Sequence, residues 1–507
     1  MRKFDLLAAS AIALVAALPA SAQTGTTTSA ETTAPTDGPG QEAPSSGYAG
    51  DIVITAQRQS QRLQDVPIAV SAFTAENLEK QQIVNSTALQ QTLPNITFTK
   101  TNFTSSSFTI RGIGDLCVGV TCDSATAIHV NDMPLLGTRL FESEFFDLER
   151  VEVLRGPQGT LFGRNATSGV VNFITAKPDL SGVRAAGEFE YGNYDSKRAR
   201  AMFNLPITDT LGVRVAGTYL NRDGFTFNEF TGNRIDDRNL YAVRGTLSWE
   251  PNPDTRVDLI GYYFREKDRR SRIQKQLCNR DPTGILGCSP DRLAFGTTNG
   301  NSTLAHVLTS REFLTIGVSP LVAPFALGSV YQAQDNFFGV VNPADVRRVR
   351  VDHEPTYFAD EQQYTLKVFH DFGPVSLNLT GGYMRSRVDS TSDYNLAVQN
   401  SYANNAGLLT LNAIGRPGLP GAAFNNLRQY LIPNGPGTLC QSLPETTNTG
   451  VFGGNAVCAP TSLDIDRSVG LTRQYSAEAH IDSSFDGIFN FLLGGIYFDS
   501  RARDVDY

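Results

Sequence analysis

The stretch from Phe145 to Pro178 reads FFDLERVEVLRGPQGTLFGRNATSGVVNFITAKP, and it contains the most specific pattern in the chain. Its first part, Leu148 to Leu154, alternates in polarity, which predicts a short β-strand with β-branched residues on its packed side. A turn follows at Gly156 to Gly159, because glycine adopts backbone angles that strain other residues. A second run of β-forming residues, Val170 to Thr175, predicts the returning strand.

The sequence VEVLRGPQGTLFGRNATSGVVNFIT, from Val151 to Thr175, closely resembles the end of the plug domain of TonB-dependent receptors of the Gram-negative outer membrane. The alternative is a glycine-rich strand–turn–strand in a soluble domain. A phosphate-binding P-loop is excluded, because no Lys-Ser or Lys-Thr pair follows Gly163. The resemblance implies a mainly β fold, in which an outer-membrane antiparallel β-barrel of about 22 strands encloses an α+β plug.

The composition agrees with a large β protein. The chain has 507 residues, which is too long for one ordinary core, so several domains or one large β structure are expected. Its 45 Gly, 30 Phe and 17 Tyr suit strands joined by many turns. The formal net charge of −8 argues against a nucleic-acid partner.

The N-terminal 50 residues predict export followed by a disordered leader. Residues 1–22 have the form of a secretory signal peptide, with Arg2 and Lys3 before an apolar core and the small residues Ala20-Ser21-Ala22 at the cleavage site. Residues 23–50 consist mainly of Thr, Ser, Pro, Gly and Ala and cannot bury enough apolar surface to fold. We interpret them as a periplasmic leader.

Residues 51–58, DIVITAQR, form a short β-prone segment at the end of that leader. The segment resembles a TonB box, which pairs as an added strand with the energy-coupling protein TonB. Main-chain hydrogen bonds give such a complex its affinity, so the segment has to be extended and accessible. The residues predicted to bind TonB are Asp51, Ile52, Val53, Ile54 and Thr55.

Residues 59–178 are predicted to form the plug domain, because strand and helix signals alternate here in the order that resembles the family. Helix caps are predicted at Thr74 and Ser86. The sequence His-Val-Asn-Asp at 129–132 departs from the Tyr-Val-Asp-Gly that is more frequent in the family. His129 has no partner at a metal-ligand spacing, so neither a metal nor a cofactor is predicted, and no catalytic triad is recognisable.

Residues 179–507 are predicted to form part of a transmembrane β-barrel. Strands of about ten residues alternate between apolar and polar positions, as lipid-facing and lumen-facing side chains of a barrel do. The nine predicted strands are 183–191, 197–205, 211–221, 240–250, 255–265, 361–371, 374–385, 472–482 and 488–498. Every second connection between these strands is short, and all the long loops, including 266–360 and 386–471, belong to the other set of connections. Short turns at one end and long loops at the other favour a barrel over a β-sandwich.

The six cysteines fall into three local pairs, which in an exported protein predicts disulfides. The pairs are Cys117 with Cys122, Cys278 with Cys288, and Cys440 with Cys458. Asp115 and the loop between Cys117 and Cys122 are the candidates for ligand contacts at the apex of the plug.

Nine strands are fewer than the family uses, and an odd number departs from single-chain outer-membrane barrels. We therefore expect the chain to be the N-terminal portion of a longer receptor or a truncated gene product. The resemblance implies energy-coupled uptake of a scarce ligand, most often a ferric siderophore, although cobalamin, plant-derived sugars and aromatics also fit. A passive porin or adhesin barrel and a secreted glycan-acting enzyme are the alternatives. The implied partners are TonB, the barrel-assembly machinery, outer-membrane lipid and an extracellular small molecule.

Overall fold

The structure is a computed structural model of the chain. It describes residues 52–59, 61–100, 106–114, 124–135, 144–271, 273–283, 287–289, 291–299, 303–331, 335–417, 424–448 and 450–506.

A mixed five-stranded sheet forms the centre of the N-terminal part, in the order β3-β8-β9-β6-β7. Strands β6 and β9 are parallel, and the other neighbours are antiparallel. The strands up to residue 175 are β1 (Val53–Ile54), β2 (Gln61–Arg62), β3 (Val70–Thr74), β4 (Ile96–Lys100), β5 (Ser106–Ile110), β6 (Thr126–Val130), β7 (Met133–Leu135), β8 (Leu148–Arg155) and β9 (Gly169–Thr175).

Three short helices cover this sheet: α1 (Ala75–Lys80), α2 (Ser86–Thr92) and α3 (Gly159–Phe162). The hydroxyl of Thr74 accepts from the backbone N–H of Asn77 and caps α1, as predicted. Helix α2 is capped by Asn85 instead of Ser86, because the Asn85 side chain accepts from the N–H of Ala88 at 2.9 Å. A 3₁₀ turn, Leu63–Asp65, precedes β3.

Nine long strands form a second, antiparallel sheet, here called the wall, in the order β10-β11-β12-β15-β16-β18-β19-β22-β23. All nine strands predicted from the sequence are present. The strands after residue 175 are β10 (Arg184–Gly192), β11 (Ser196–Thr208), β12 (Leu211–Arg222), β13 (Thr226–Asn228), β14 (Arg234–Ile235), β15 (Arg238–Asn252), β16 (Thr255–Asp268), β17 (Arg348–Val349), β18 (Thr356–Asp371), β19 (Val375–Asp393), β20 (Leu439–Ser442), β21 (Val457–Ala459), β22 (Ile465–Ser483) and β23 (Leu492–Asp506).

The alternation along the wall has the polarity that the sequence predicts. In β15, Tyr241, Val243 and Trp249 are exposed on one face, whereas Arg244 and Ser248 are buried on the other. Exposed apolar side chains opposite buried polar ones invert the arrangement of a soluble sheet. The pattern fits a surface that faces lipid and an inner face that contacts protein.

The plug residues pack against the inner face of the wall. One apolar cluster joins Phe73, Met133 and Phe146 of the N-terminal part to Leu240 and Met384 of the wall. The order of the sheet begins at β10 and ends at β23, and these two strands have no partner on their outer edges among the described residues.

Several wall strands extend further into the long loops than predicted, so the loops span 269–355 and 394–464. Their helical elements are α4 (Leu304–Leu308), α5 (Arg311–Phe313), the π-helical turn Leu314–Val318, the 3₁₀ segment Pro320–Phe325, the 3₁₀ turn Tyr402–Asn404, α6 (Ala406–Ile414) and α7 (Asn425–Leu431). Residues of both loops share a small apolar core around Tyr402, Leu411 and Phe325. No helix in the described part of the chain is long and apolar enough to cross a membrane.

Candidate functional site

The segment that resembles a TonB box is packed onto the plug. Residues Val53–Ile54 pair with Gln61–Arg62, and the side chains of Ile54 and Ala56 are 0% exposed. They pack against Val66, Leu154, Phe162 and Val170. The sequence predicts an accessible segment; in the structure Ile54 and Ala56 are buried in an apolar cluster, whereas Val53 is 50% exposed, so the segment is accessible only in part. Its binding to TonB stays a prediction.

The same segment is also held by a polar contact. The backbone N–H of Thr55 donates to Oε1 of Glu152 at 2.9 Å. Glu152 lies in β8 and is 0% exposed, and its carboxylate also accepts from Nε of Arg150 at 2.7 Å. Glu152 therefore ties the segment to the central sheet, and its charge is compensated by a cation. Asp51 lies outside the described residues.

Arg58, at the end of the segment, connects it to the wall. Its Nη2 lies 3.0 Å from Oε2 of Glu478 in β22, and its Nη1 lies 3.5 Å from Oδ1 of Asp132. Its Nε donates to the carbonyl oxygen of Leu161 at 3.1 Å, and its guanidinium carbon lies 4.5 Å above the ring of Phe162. Arg58 is thus bound at once to the plug and to the wall.

Asp132 extends this network to a second wall strand. Its Oδ2 lies 2.5 Å from Nζ of Lys367 in β18, and its Oδ1 accepts from the side chain of Asn172 at 3.2 Å. Burial alone would raise the pKa of Asp132, but Lys367 and Arg58 outweigh burial and hold it well below its usual value. Asp132 therefore stays charged, and the network joins the segment, the plug and two strands of the wall.

His129 lies beside this network and does not carry a charge at neutral pH. Burial lowers its pKa to about 4, with a further contribution from the nearby charge of Arg58. Its Nδ1 lies 3.1 Å from the backbone oxygen of Asp132, and its ring meets that of Phe162 edge to face at 5.3 Å. His129 thus acts as a neutral packing residue under Arg58.

A second group of ion pairs holds the other side of the plug. The carboxylate of Asp147 accepts from Arg214 in β12 at 2.5 Å, and Arg244 in β15 donates to the backbone oxygen of Asp147 at 2.6 Å. Glu144 lies 3.6 Å from Arg198 and 3.5 Å from Arg200 in β11. When the plug and the wall separate, water can replace the hydrogen bonds of these charged groups, whereas it cannot replace apolar contacts.

A cavity of about 90 Å³ lies between the plug and the wall next to Glu144 and Arg244. Its lining is mostly apolar, including Phe146, Phe173 and Tyr262, with the polar groups of Arg244 and Glu361 at its edge. The plug and the wall are therefore not packed continuously at this place.

The predicted ligand-binding residues Asp115, Cys117 and Cys122 lie outside the described residues, so their positions stay predictions. The long loops contain the disulfides Cys278–Cys288 and Cys440–Cys458. The second of these joins β20 to β21, where the two cysteines face each other in the register.

Sequence reasoning missed the residues that join plug and wall. The sequence contains one usable signal, which is a charged residue on the inward side of a wall strand, as at Lys367 and Glu478. Their partners Arg58 and Asp132 carry no pattern of their own, because they are set by distant contacts.

Comparison with known proteins agrees with this architecture. Residues 62–170 match the TonB-dependent Receptor Plug Domain. The chain is 27% identical over 224 residues to an iron-regulated outer membrane virulence protein of Vibrio cholerae, an alignment that covers 41% of this chain and 32% of the relative. It is 30% identical over 189 residues to the pesticin receptor of Yersinia pestis, covering 36% and 27% respectively. The chain thus matches about a third of the length of these curated relatives.

Solved structures show the same fold over more of the chain. The siderophore receptor PiuA of Acinetobacter baumannii matches with a TM-score of 0.52 at 13% identity, covering 88% of this chain and 47% of the receptor. The ferric preacinetobactin receptor BauA of the same species matches with a TM-score of 0.51 at 12% identity, covering 90% and 50%. Residues 62–170 thus match the plug domain of TonB-dependent receptors, and the wall around them has the fold of these two solved receptors.

Proposed function

We propose that the chain is part of an outer-membrane receptor that takes up a scarce ligand with energy supplied through TonB. A ferric siderophore is the first candidate for this ligand. The observation that carries this proposal is the packing of residues 52–58 on the plug, where Ile54 and Ala56 are buried and Arg58 binds the wall. A plug that only blocked a passive porin would gain nothing from fastening its N-terminal segment to both surfaces.

The proposed mechanism follows from those contacts. TonB captures residues 51–55 by strand addition and pulls them away from the plug. Withdrawal removes Ile54 from its apolar cluster and separates Thr55 from Glu152. It then breaks the partly buried pair of Arg58 and Glu478; the loss of one partner from a buried pair costs about 3–5 kcal/mol. This cost explains why an external energy source is needed.

The same step weakens the attachment of the plug to the wall. Without Arg58, Asp132 has only Lys367 as a cation partner among the described residues. The cavity beside Phe146 and Tyr262 lies in the same plug–wall interface. We infer that movement of the plug widens this gap into a path for the ligand.

The ligand class and the remaining partners are inferred from the relatives and from the predicted signal peptide. Receptors with iron-related names and structures of siderophore receptors support an iron chelate as the cargo. An exported β protein of this kind is inserted by the barrel-assembly machinery, and its exposed apolar face contacts lipid. The role is transport instead of catalysis.

The test is capture of the periplasmic domain of TonB by the exported chain. Ile52→Pro should abolish capture, because proline removes a backbone donor and blocks strand addition. Ile52→Ala is the matched control and should retain capture, because the main chain is unchanged. Equal capture by both variants, or none by the wild-type chain, would remove residues 51–55 from the mechanism and favour a passive barrel. Uptake of radioactive iron as a siderophore complex by the longer receptor, of which we propose the chain is a part, then tests the cargo.

A further inference from the structure

Three aspartates whose charges act on one another lie where the two long loops join the wall. Asp352 lies four residues before β18, near the end of the loop 269–355, Asp393 is the last residue of β19, and Asp464 directly precedes β22. Asp393 is 4% exposed, and the charges that act on it most strongly are those of the other two aspartates. Asp352 and Asp393 are close enough for a direct interaction between their side chains. Like charges that are buried together are neutralised by a proton or compensated by a bound cation.

Two oxygen atoms in this group lack a hydrogen-bond donor among the described residues. Oδ1 of Asp393 accepts from the N–H groups of Asn395 and Leu396 at 3.0 and 2.8 Å, whereas its Oδ2 has no donor. Asn395 is 2% exposed, and its Nδ2 donates to Asp464 at 2.6 Å, but its Oδ1 has no donor. Buried acceptors without a donor are destabilising unless a ligand satisfies them.

The free atoms define the chemistry of that ligand. They are carboxylate and amide oxygens, which hard divalent cations prefer, and His306 reaches the group only through Gln399. Among the described residues no three His, Cys, Asp or Glu side chains converge on one metal position. A cation here would therefore use two carboxylates and an amide, with water for its remaining ligands. Ca²⁺ accepts such a mixed, irregular shell, whereas Zn²⁺ prefers nitrogen and sulfur.

We propose that the junction of the two long loops is a Ca²⁺ site formed by Asp352, Asp393 and the amide oxygen of Asn395. Asp464 orients that amide by accepting from its Nδ2, so that Oδ1 is presented to the ion. The ion joins the loop 269–355 to the start of the loop 394–464. Thr461, which donates to Asp352 at 3.0 Å, connects the end of the second loop to the same point.

The site predicts that Ca²⁺ stabilises the outer loops. The purified chain is treated with a chelator and titrated with CaCl₂, while Ca²⁺ binding is measured by calorimetry and unfolding by thermal denaturation. We expect binding in the range of about 10⁻⁴–10⁻³ M that extracellular Ca²⁺ modules show. We also expect the unfolding temperature to rise with Ca²⁺ and to rise less with Mg²⁺, which demands a regular octahedral shell.

Asp393→Asn distinguishes a lost ligand from a damaged fold. In chelator it should unfold at the same temperature as the wild-type chain or higher, because one buried repulsion is removed, and it should gain nothing from Ca²⁺. Asp291→Asn changes the same charge at an exposed position of the loop 269–355 and should respond to Ca²⁺ like the wild-type chain. The proposal is overturned if the wild-type chain binds no Ca²⁺ up to millimolar concentration, or if Asp393→Asn still responds. The proposal is also overturned if lowering the pH in chelator stabilises the wild-type chain as much as Ca²⁺ does, because the aspartates would then share a proton instead of binding an ion.

Discussion

Arg58 determines whether residues 52–57 stay on the plug. Arg58→Ala removes the pair with Glu478 and the contact with the Phe162 ring, and leaves a buried carboxylate without its cation. We expect the local opening free energy of residues 53–56 to fall by about 2 kcal/mol or more, which speeds amide exchange there by about 30-fold. Hydrogen exchange monitored by mass spectrometry measures this change, and capture by TonB should increase with it.

Arg62→Ala is the matched control for Arg58→Ala. Arg62 lies four residues further along, and its pair with Asp65 is exposed, with 61% and 53% of the two side chains accessible. Exposed pairs contribute about 0–1 kcal/mol, so exchange at 53–56 should change little. If Arg58→Ala exchanged no faster than Arg62→Ala, the ion pair with the wall would not hold the segment.

The buried His129 makes the plug sensitive to acid. Its pKa is lowered from 6.5 to about 4, so the unfolded chain takes up a proton at a pH where the folded chain does not. The free energy of unfolding should therefore be highest above pH 6.5, and should fall by about 3 kcal/mol as the pH decreases from 6.5 to 4. His129→Leu should remove this part of the pH dependence. Chemical denaturation at a series of pH values measures it, and an unchanged slope in the variant would contradict the assignment.

Individual contacts are the part of this molecule that the sequence predicts least. The cap at Thr74 depends on neighbouring residues and is found as predicted. Gly156 has a positive φ of 108°, as a glycine turn requires, but Gly159 begins the helix α3 instead of ending a turn. The contacts of Arg58, in contrast, join residues 420 positions apart. Alternation in the wall predicts that Glu478 and Lys367 face inward, but it does not predict which plug residue each one meets.

At the scale of elements, the close approach of β8 and β9 depends on Gly169. A Cβ atom at this position would lie 2.2 Å from the backbone oxygen of Leu154 and 2.8 Å from the side chain of Ile110. Gly169→Ala should therefore separate the two strands and lower the stability of the plug sheet by about 1–3 kcal/mol. Native-state hydrogen exchange in β9 measures the loss.

Gly159→Ala is the control within the same stretch. A Cβ atom there has no neighbour within 4 Å, and the residue begins the helix α3. Alanine favours a helix over glycine, so stability should be unchanged or slightly higher. Equal loss in both variants would mean that the sheet does not depend on the contact at Gly169.

The elements were more predictable than the contacts, for a physical reason. Strand alternation reports which face is apolar, and it locates all nine wall strands, including β12 and β15. It fails at the loop ends, where β19 continues to Asp393. Beyond the lipid both faces meet polar surroundings, so the alternation that marks a strand is lost although the backbone ladder continues. The alternation of apolar and polar residues therefore marks only the lipid-facing part of each strand, and the strands predicted from it are too short.

At the scale of the whole molecule, the plug requires a wall larger than nine strands. A closed barrel of about eight strands has an interior that its own side chains fill. Here the inner face instead contacts a plug whose matched region alone spans residues 62–170. The nine strands therefore cannot close on themselves with the plug in place. Strands β10 and β23 each leave one edge of backbone donors and acceptors without a partner in the described part of the wall.

Unpaired edges of this kind determine how the chain should behave when it is produced by itself. Lipid offers no hydrogen bonds to the backbone, so an open edge inside a bilayer is strongly destabilising and an exposed edge pairs with other strands. We expect the purified chain to form no discrete single-channel conductance in planar bilayers, and to self-associate through β10 and β23. Cysteine pairs placed on these two strands should crosslink between molecules. A closed porin is the positive control for conductance. Uniform conductance steps from a monomer would show that the nine strands close, and that the plug leaves the wall when they do.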